Sequence, residues 1–436
     1  MNRGLERIWW LIAVIAGVAL TSCNAKQEST PGAEPKSTPA AKVGSAPAAK
    51  AEPAAPPPKK TLMMHYMPWY TTPAVSGEWS GHWRGWASQH RPDKTDAKGL
   101  PDIWSHYHPL IGLYDSSDPD IIECHLLQMK LAGVDGVIPA WNGIGDVLDY
   151  PAGHKATRLL FDACAKFGMK FAVCFEDRAV KDMVNWNRVK KDEIPKHLAE
   201  TMQWMQKEWL TKPQYFKLYD RPLLLNFGPI YVKDQAPWDA AFATLPERPT
   251  FFALHHLWRS IGGDGGFTWV HYDPWEDEPS DERIRVRINE VFTYFSKNPK
   301  EVIVSAYPGF KDVYDPPLRW LEHRDGKTLQ ETLEVAMAGP WPLIQLVTWN
   351  DYGEGTMIEP THEFGYKFLE TVQAAKKKEL GKTFAFTTDD LRLPARLYAL
   401  RKKGKTPAAE LDRISQLLNN GACAEARKQL DTIEKP

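Results

Sequence analysis

Residues 116–141 read SSDPDIIECHLLQMKLAGVDGVIPAW, and the way this stretch is built decides the fold. Its first part is a helix written with its own start and stop. Ser117 or Asp118 can cap the free amides of a first turn, Pro119 suits that turn because its missing N–H is not needed there, and Gly133 suits the exit. The second part, VDGVIPAW at 134–141, is apolar almost without interruption. A strand covered on both faces needs that pattern, whereas a strand with one wet face alternates.

The same grammar recurs along the chain. Eight short runs qualify as buried strands: TLMMHYM (61–67), VDGVIPAW (134–141), KFAVCFE (170–176), PLLLNF (222–227), PTFFALHH (249–256), GFTWVHY (266–272), EVIVSAY (301–307) and PLIQLVTW (342–349). Between them lie amphipathic stretches with helix signals, such as KATRLLFDACAKFG, IPKHLAETMQWMQKEWL, APWDAAFATL, DERIRVRINEVFTYFSKNP, TLQETLEVAMAG and HEFGYKFLETVQAAKKKEL. The exception is LWRSIGGDGG, a Gly-rich loop between the fifth and sixth strands. Eight strands with helical crossovers over about three hundred residues predict an α/β fold, a (β/α)8 TIM barrel, with a doubly wound sheet as the alternative.

The flanks have a different composition. Arg3 and Arg7 precede an apolar run, Ile8 to Leu20, that is too short to span a bilayer. It ends LTSC at 20–23, which resembles a bacterial lipobox, so 1–23 is expected to be a lipoprotein signal peptide with Cys23 lipidated; an ordinary secretory signal is the alternative. Asn24 in place of Asp points to the outer membrane, on its periplasmic or surface side. Residues 24–60, rich in Ala, Pro, Lys and Ser, cannot bury enough apolar surface to order and read as a tether. The barrel is expected over 61–385. Over 386–436, PAAELDRISQLLNN and ACAEARKQLDTIE predict a helical hairpin joined at Asn420 and Gly421, a packing appendage.

Bulk properties exclude some functions. A formal net charge of −1 with no basic block argues against nucleic-acid binding. The 18 tryptophans exceed what a core of this size needs, so some should line a cleft. Cys124, Cys164, Cys174 and Cys423 lack metal-like spacing and read at least as well as buried thiols as disulfide partners. His255 and His256 are neighbours on a strand and should face opposite ways, and HYH at 106–108 has no carboxylate motif beside it, so no metal or other cofactor is expected.

In barrels of this kind the working residues gather at the C-terminal ends of the strands. Those ends supply His65, Tyr66, Trp69, Tyr70, Trp141, Asn142, Glu176, Asp177, His255, Tyr272, Asp273, Trp275, Tyr307, Trp349 and Asn350. This is a ring of aromatics enclosing carboxylates, with few cations. It suits a neutral oligo- or polysaccharide, whose C–H faces pack on flat rings while side-chain oxygens and amides take the hydroxyls. The eighth run continues as LVTWNDYGEGTMIEP (346–360), which puts Asp351 and Glu354 three apart in a Gly-containing bend. Glycosidic cleavage needs two carboxyl groups in different protonation states, and closeness drives their pKa values apart. Glu359 and Glu363 read instead as charges near the start of the next helix, and Glu176 reads equally as a substrate partner or a strand-end carboxylate.

MHYMPWY, the 116–143 segment ending in PAWNG, SAYPGF and TWNDYGEGTMIEP, taken in this order, resemble the glycoside hydrolase family 71/99 group over roughly residues 61–380. Family 99 comprises endo-acting α-mannosidases and α-mannanases on a (β/α)8 barrel, with a motif of the form WNEWxEGT. The resemblance implies that Asp351 falls on the carboxylate that draws a proton from the sugar 2-hydroxyl, giving an anhydro-sugar intermediate with net retention. It implies that Glu354 is the general acid/base, and that Tyr66, Trp69, Tyr70 and Trp141 contact sugar. Two departures stand out. The chain carries Asp, one methylene shorter, where family 99 has Glu, as the WND form of family 71 α-1,3-glucanases does, and NFGPIYV lacks a tyrosine-rich ending to the fourth strand. The expectation is a lipid-anchored, monomeric hydrolase of α-mannan or α-glucan type. A barrel that binds glycan without turnover is the alternative, disfavoured because both acids are present.

Overall fold

The structure, a computed structural model, describes residues 59–271, 279–314 and 320–435. The signal segment, Cys23, almost all of the tether, and Tyr272, Asp273 and Trp275 lie outside the described residues.

Eight parallel strands close on themselves. They are β1 (Thr61–Tyr66), β2 (Gly136–Trp141), β3 in two pieces (Lys170–Phe171 and Val173–Phe175), β4 (Arg221–Asn226), β5 (Thr250–Leu254), β6 (Gly265–Phe267), β7 (Val302–Ala306) and β8 (Leu343–Leu346). Each pairs with its neighbour in sequence, and β1 pairs with both β2 and β8, with Met63 opposite Gly136 on one side and Gln345 on the other. Closure removes every sheet edge. The register puts His65, Ile138, Ala140, Cys174, Leu225, Phe252, Phe267, Ile303, Ser305 and Gln345 on one face. Rings meeting at 4.8 Å between His65 and Trp269, and at 4.9 Å between Phe227 and Trp269, identify that face as the barrel interior.

The crossovers are α1 (Pro119–Leu131), α2 (Tyr150–Phe167), α3 (Arg178–Asn185) with α4 (Ile194–Met205), α5 (Gln235–Phe242), α6 (Asp281–Phe295), α7 (Lys327–Ala338) and α8 (Lys367–Leu380). Asp118, not Ser117, caps α1 by accepting from the Asp120 amide, while Ser117 Oγ donates to Asp115. Between β5 and β6 only a 3-10 turn, Trp258–Ile261, replaces a helix, as the Gly-rich segment implies. Gly265 and Gly266 are there for space: a Cβ would come within 2.5 Å of the Glu301 carbonyl oxygen and 2.4 Å of the His255 Cα, respectively.

Two expectations change. The sixth strand is shorter than its apolar run: it ends at Phe267, and Trp269, two residues on, stays on the inward face. The C-terminal region has three helices, not two: α9 (Leu393–Lys403) precedes α10 (Ala408–Asn419) and α11 (Cys423–Glu434). They dock on α1, where Glu123 accepts from Arg401 at 2.6 Å and from Ser415 Oγ at 2.6 Å. Cys124, Cys164, Cys174 and Cys423 are buried free thiols.

Candidate active site

The loop after β8 folds around one carboxylate. The Asp351 amide donates to Thr348 Oγ1 at 2.8 Å, and Asp351 Oδ1 accepts the Glu354 amide at 2.9 Å, so the bend is wound on the Asp351 side chain itself. The segment after β7 is strapped over it: Lys311 and Val313 amides donate to the Glu354 and Gly353 carbonyls at 2.8 and 2.9 Å. That strap delivers Asp312 and Tyr314. A Cβ on Gly353 would sit 2.0 Å from the Tyr314 hydroxyl, so only glycine lets the phenol come this close.

Asp351 is 3 % exposed, whereas Glu354 is half-buried and reaches the mouth. Trp269 Nε1 donates to Glu354 Oε2 at 3.0 Å and ties that side chain to an indole that packs on His65. Burial is the main reason that Asp351 is pushed up to about 7; the Glu176 and Asp312 charges add to the effect, and the Glu354 and Gly353 amides oppose it. Glu354 is pushed well above the carboxylate range, again by burial and then by the charge of Asp351, against the pull of the Trp269 N–H. The negative charge of Asp351 close by favours the protonated form of Glu354. An acid and a base side by side at a barrel mouth is the protonation split that glycosidic cleavage requires.

Glu176, at the end of β3, is 8 % exposed and 3.4 Å from Arg178; burial raises it, and Arg178 and His82 oppose the shift. Asp177 turns away and accepts three amides, from Ile230, Tyr231 and Val232, which pin the loop after β4. Trp69 is half-buried, with its ring stacked on His82 at 4.2 Å, and Asn142 is half-buried at the end of β2.

Beneath the bend lies a sealed polar network. Asn350 Oδ1 accepts the Met67 amide at 2.8 Å while its Nδ2 donates to the Met67 carbonyl and Tyr114 hydroxyl, tying β8 to β1. The Tyr70 hydroxyl donates to the Asn350 carbonyl at 2.8 Å and accepts the Tyr352 amide. Glu359, 1 % exposed, accepts from Tyr114 and Tyr352 hydroxyls and pairs with His125, whose other nitrogen meets the Tyr66 hydroxyl at 3.0 Å. Replacing Glu359 by Leu should cost about 3–5 kcal/mol in urea unfolding, because it strands two phenols and an imidazole in a dry interior. A loss below about 1 kcal/mol would mean that the network contributes no more than an ordinary hydrogen bond.

The structure therefore divides the residues expected to touch substrate. Glu176 lies near enough to Asp351 and Glu354 for its charge to raise both, while Trp69 and Asn142 are half-buried beyond the ends of β1 and β2. Tyr66, Tyr70 and Asn350 are buried and support the bend from below, and His65 lies inside the barrel under Trp269. Four are turned elsewhere. Trp141 packs on Trp204, Trp209 and His154 in the helix layer, Trp349 on His125, His255 on His271 and Phe295, and Tyr307 beside Ile284, Ile288 and Leu321. Period two explains Trp141: its neighbour Ala140 points inward, so it points out. His255 and His256 do not face opposite ways, since they lie beyond the strand with rings 5.1 Å apart. Among the described residues no group of three or more His, Cys, Asp or Glu could hold a metal ion. Glu359 and Glu363 do not serve the helix start: the first belongs to the network, and the second accepts from the His108 amide and meets its ring nitrogen.

Trp269, Tyr314, Asp312, Arg178 and His82 were not foreseen. Trp269 was legible, because it sits two residues beyond an inward Phe267. Asp312 and Tyr314 stand in a loop, Arg178 opens α3 and His82 lies in a four-residue helix, Gly81–Arg84, and none of them carries a periodic signal of its own.

A family model described as Glycosyl hydrolase family 99 matches residues 58–249, which end just before β5. Glycoprotein endo-alpha-1,2-mannosidase of Rattus norvegicus is 25% identical over 337 residues, covering 70% of this chain and 68% of the relative. A Glycoprotein endo-alpha-1,2-mannosidase-like protein of Danio rerio is 25% identical over 328 residues, covering 68% and 70%. Among solved structures, the GH99 endo-alpha-mannosidase from Bacteroides thetaiotaomicron aligns with a TM-score of 0.54 at 19% identity, over 75% of this chain and all of that one, a likeness of fold.

Proposed function

We propose that the chain is a family 99-like glycoside hydrolase that cleaves α-linked mannose-containing glycans within the glycan chain, with Glu354 protonating the leaving oxygen and Asp351 acting on the sugar side of the bond. The observation that carries this reading is the split between the two carboxyls. Asp351, almost buried and hydrogen-bonded by the Glu354 amide, can ionise near neutral pH, while the more exposed Glu354, held by the Trp269 N–H, keeps its proton. Trp69 offers a flat apolar face, and Glu176 with Asn142 offers hydrogen-bonding groups, on the β1 to β3 side of the mouth. The names of the curated relatives favour mannose; the Asp at 351 is the feature shared with α-1,3-glucanases.

Incubating the protein with α-mannan and α-1,3-glucan oligosaccharides decides the substrate. Internal cleavage of the mannan series is expected. Cleavage of the glucan series alone moves the assignment to glucan, and tight binding without product identifies a glycan-binding barrel. The anomer released, followed by NMR, reads retention or inversion. The lipobox-like LTSC further supports a membrane tether through Cys23, in which case Cys23→Ala should shift the protein from the membrane fraction to the soluble one.

A further inference from the structure

Beyond Trp69 and His82 the surface carries an aromatic feature that the cleavage reading does not use. Trp86 is 49% exposed, yet it is held in place. Its six-membered ring lies over Gly81, where a Cβ would come within 2.4 Å of Cε3. Gly81 has no positive φ, so its role is to make room for the indole. The His82 ring meets Trp86 edge-on at 5.0 Å and stacks on Trp69 with ring planes 4° apart. From there the contacts run to Tyr70, 6.0 Å from His82, whose hydroxyl holds the backbone of Asn350 beside Asp351.

The surroundings define what such an indole can take. His82 Nε2 stands 3.5 Å from Asp149, whose side chain is 27% exposed, and Gln89 is exposed near by. A rigid apolar plane flanked by an amide, an imidazole and a carboxylate matches a pyranose, with one C–H face and a rim of hydroxyls. An anionic partner is disfavoured by Asp149 and Glu176. We propose that Trp86 is a distal sugar subsite that stacks a further pyranose of the same α-linked glycan whose scissile bond lies between Asp351 and Glu354. The stacked His82 and Trp69 rings lead from Trp86 toward Glu176, on whose carboxyl the His82 charge acts, and the proposal rests on the glycan-hydrolase reading.

The test compares kcat/KM on a hexasaccharide with that on a short aryl glycoside of the same linkage. Trp86→Ala should lower the ratio of long to short about five- to tenfold, the scale of one stacking contact. Gly81→Ala, whose methyl displaces the indole, should lower it in the same direction. An unchanged ratio in Trp86→Ala, or equal loss on both substrates, overturns the subsite. If the wild type cleaves neither substrate, the hydrolase reading fails, and the subsite is then judged by calorimetric titration with the hexasaccharide: weaker binding to Trp86→Ala by the same factor upholds it, and equal or absent binding overturns it.

Discussion

Glu354→Gln is expected to lower kcat by about 10²- to 10⁴-fold on a natural glycan, because the leaving alkoxide then departs without a proton. The loss should shrink sharply on a glycoside with a strongly acidic leaving group, which needs no protonation. This contrast separates an acid from a residue that merely shapes the mouth. The pH profile gives a second reading. Rate should fall at alkaline pH in the wild type as Glu354 ionises above its raised pKa, and that limb should vanish in the variant on the activated substrate. Stability should fall over the same pH range. A carboxyl whose folded pKa lies above its unfolded value binds its proton better in the folded state, so ionising it weakens the fold as pH rises from the ordinary carboxylate range through the raised value. Glu354→Gln should therefore raise Tm more at alkaline than at mildly acidic pH. Equal kcat for both leaving groups, or for both proteins, removes Glu354 from the acid role.

Asp351→Asn should be comparably severe, about 10³-fold in kcat, or about 4 kcal/mol of transition-state stabilisation. The amide keeps an oxygen to accept the Glu354 N–H, so the bend should persist and the loss should be chemical. Asp351 must be ionised to act. With its pKa pushed up to about 7, wild-type kcat should fall about tenfold per pH unit on the acid side of neutrality, and the variant's residual rate should lack that dependence. A wild-type acid limb at about pH 4, the ordinary carboxylate range, would show that burial does not raise this group, and near-normal turnover in Asp351→Asn would end its assignment.

The closeness of Asp351 and Glu354 was legible because they lie in one short bend, at a strand end and among glycines. The supporting residues were misread for a common reason. Tyr66, Tyr70 and Asn350 stand where substrate contacts are expected, but a loop that carries a buried charge pair needs its backbone groups satisfied first. His125 and Glu359 are 234 residues apart in sequence, and neither has a local pattern that announces the other. Trp141 and Tyr307 were assigned by position along the chain, and which way they face was settled by packing against helices.

The sequence by itself determined the barrel, since eight doubly buried runs with capped helices between them are a local pattern repeated, and it put Asp351 and Glu354 into one bend. Only the tertiary structure decided which of the ring of aromatics meet solvent and what holds Glu354 in place. The reason is physical: hydrophobic periodicity is written into neighbouring residues, whereas burial, and with it the raised pKa values of Asp351 and Glu354, comes from strands brought together across the whole chain.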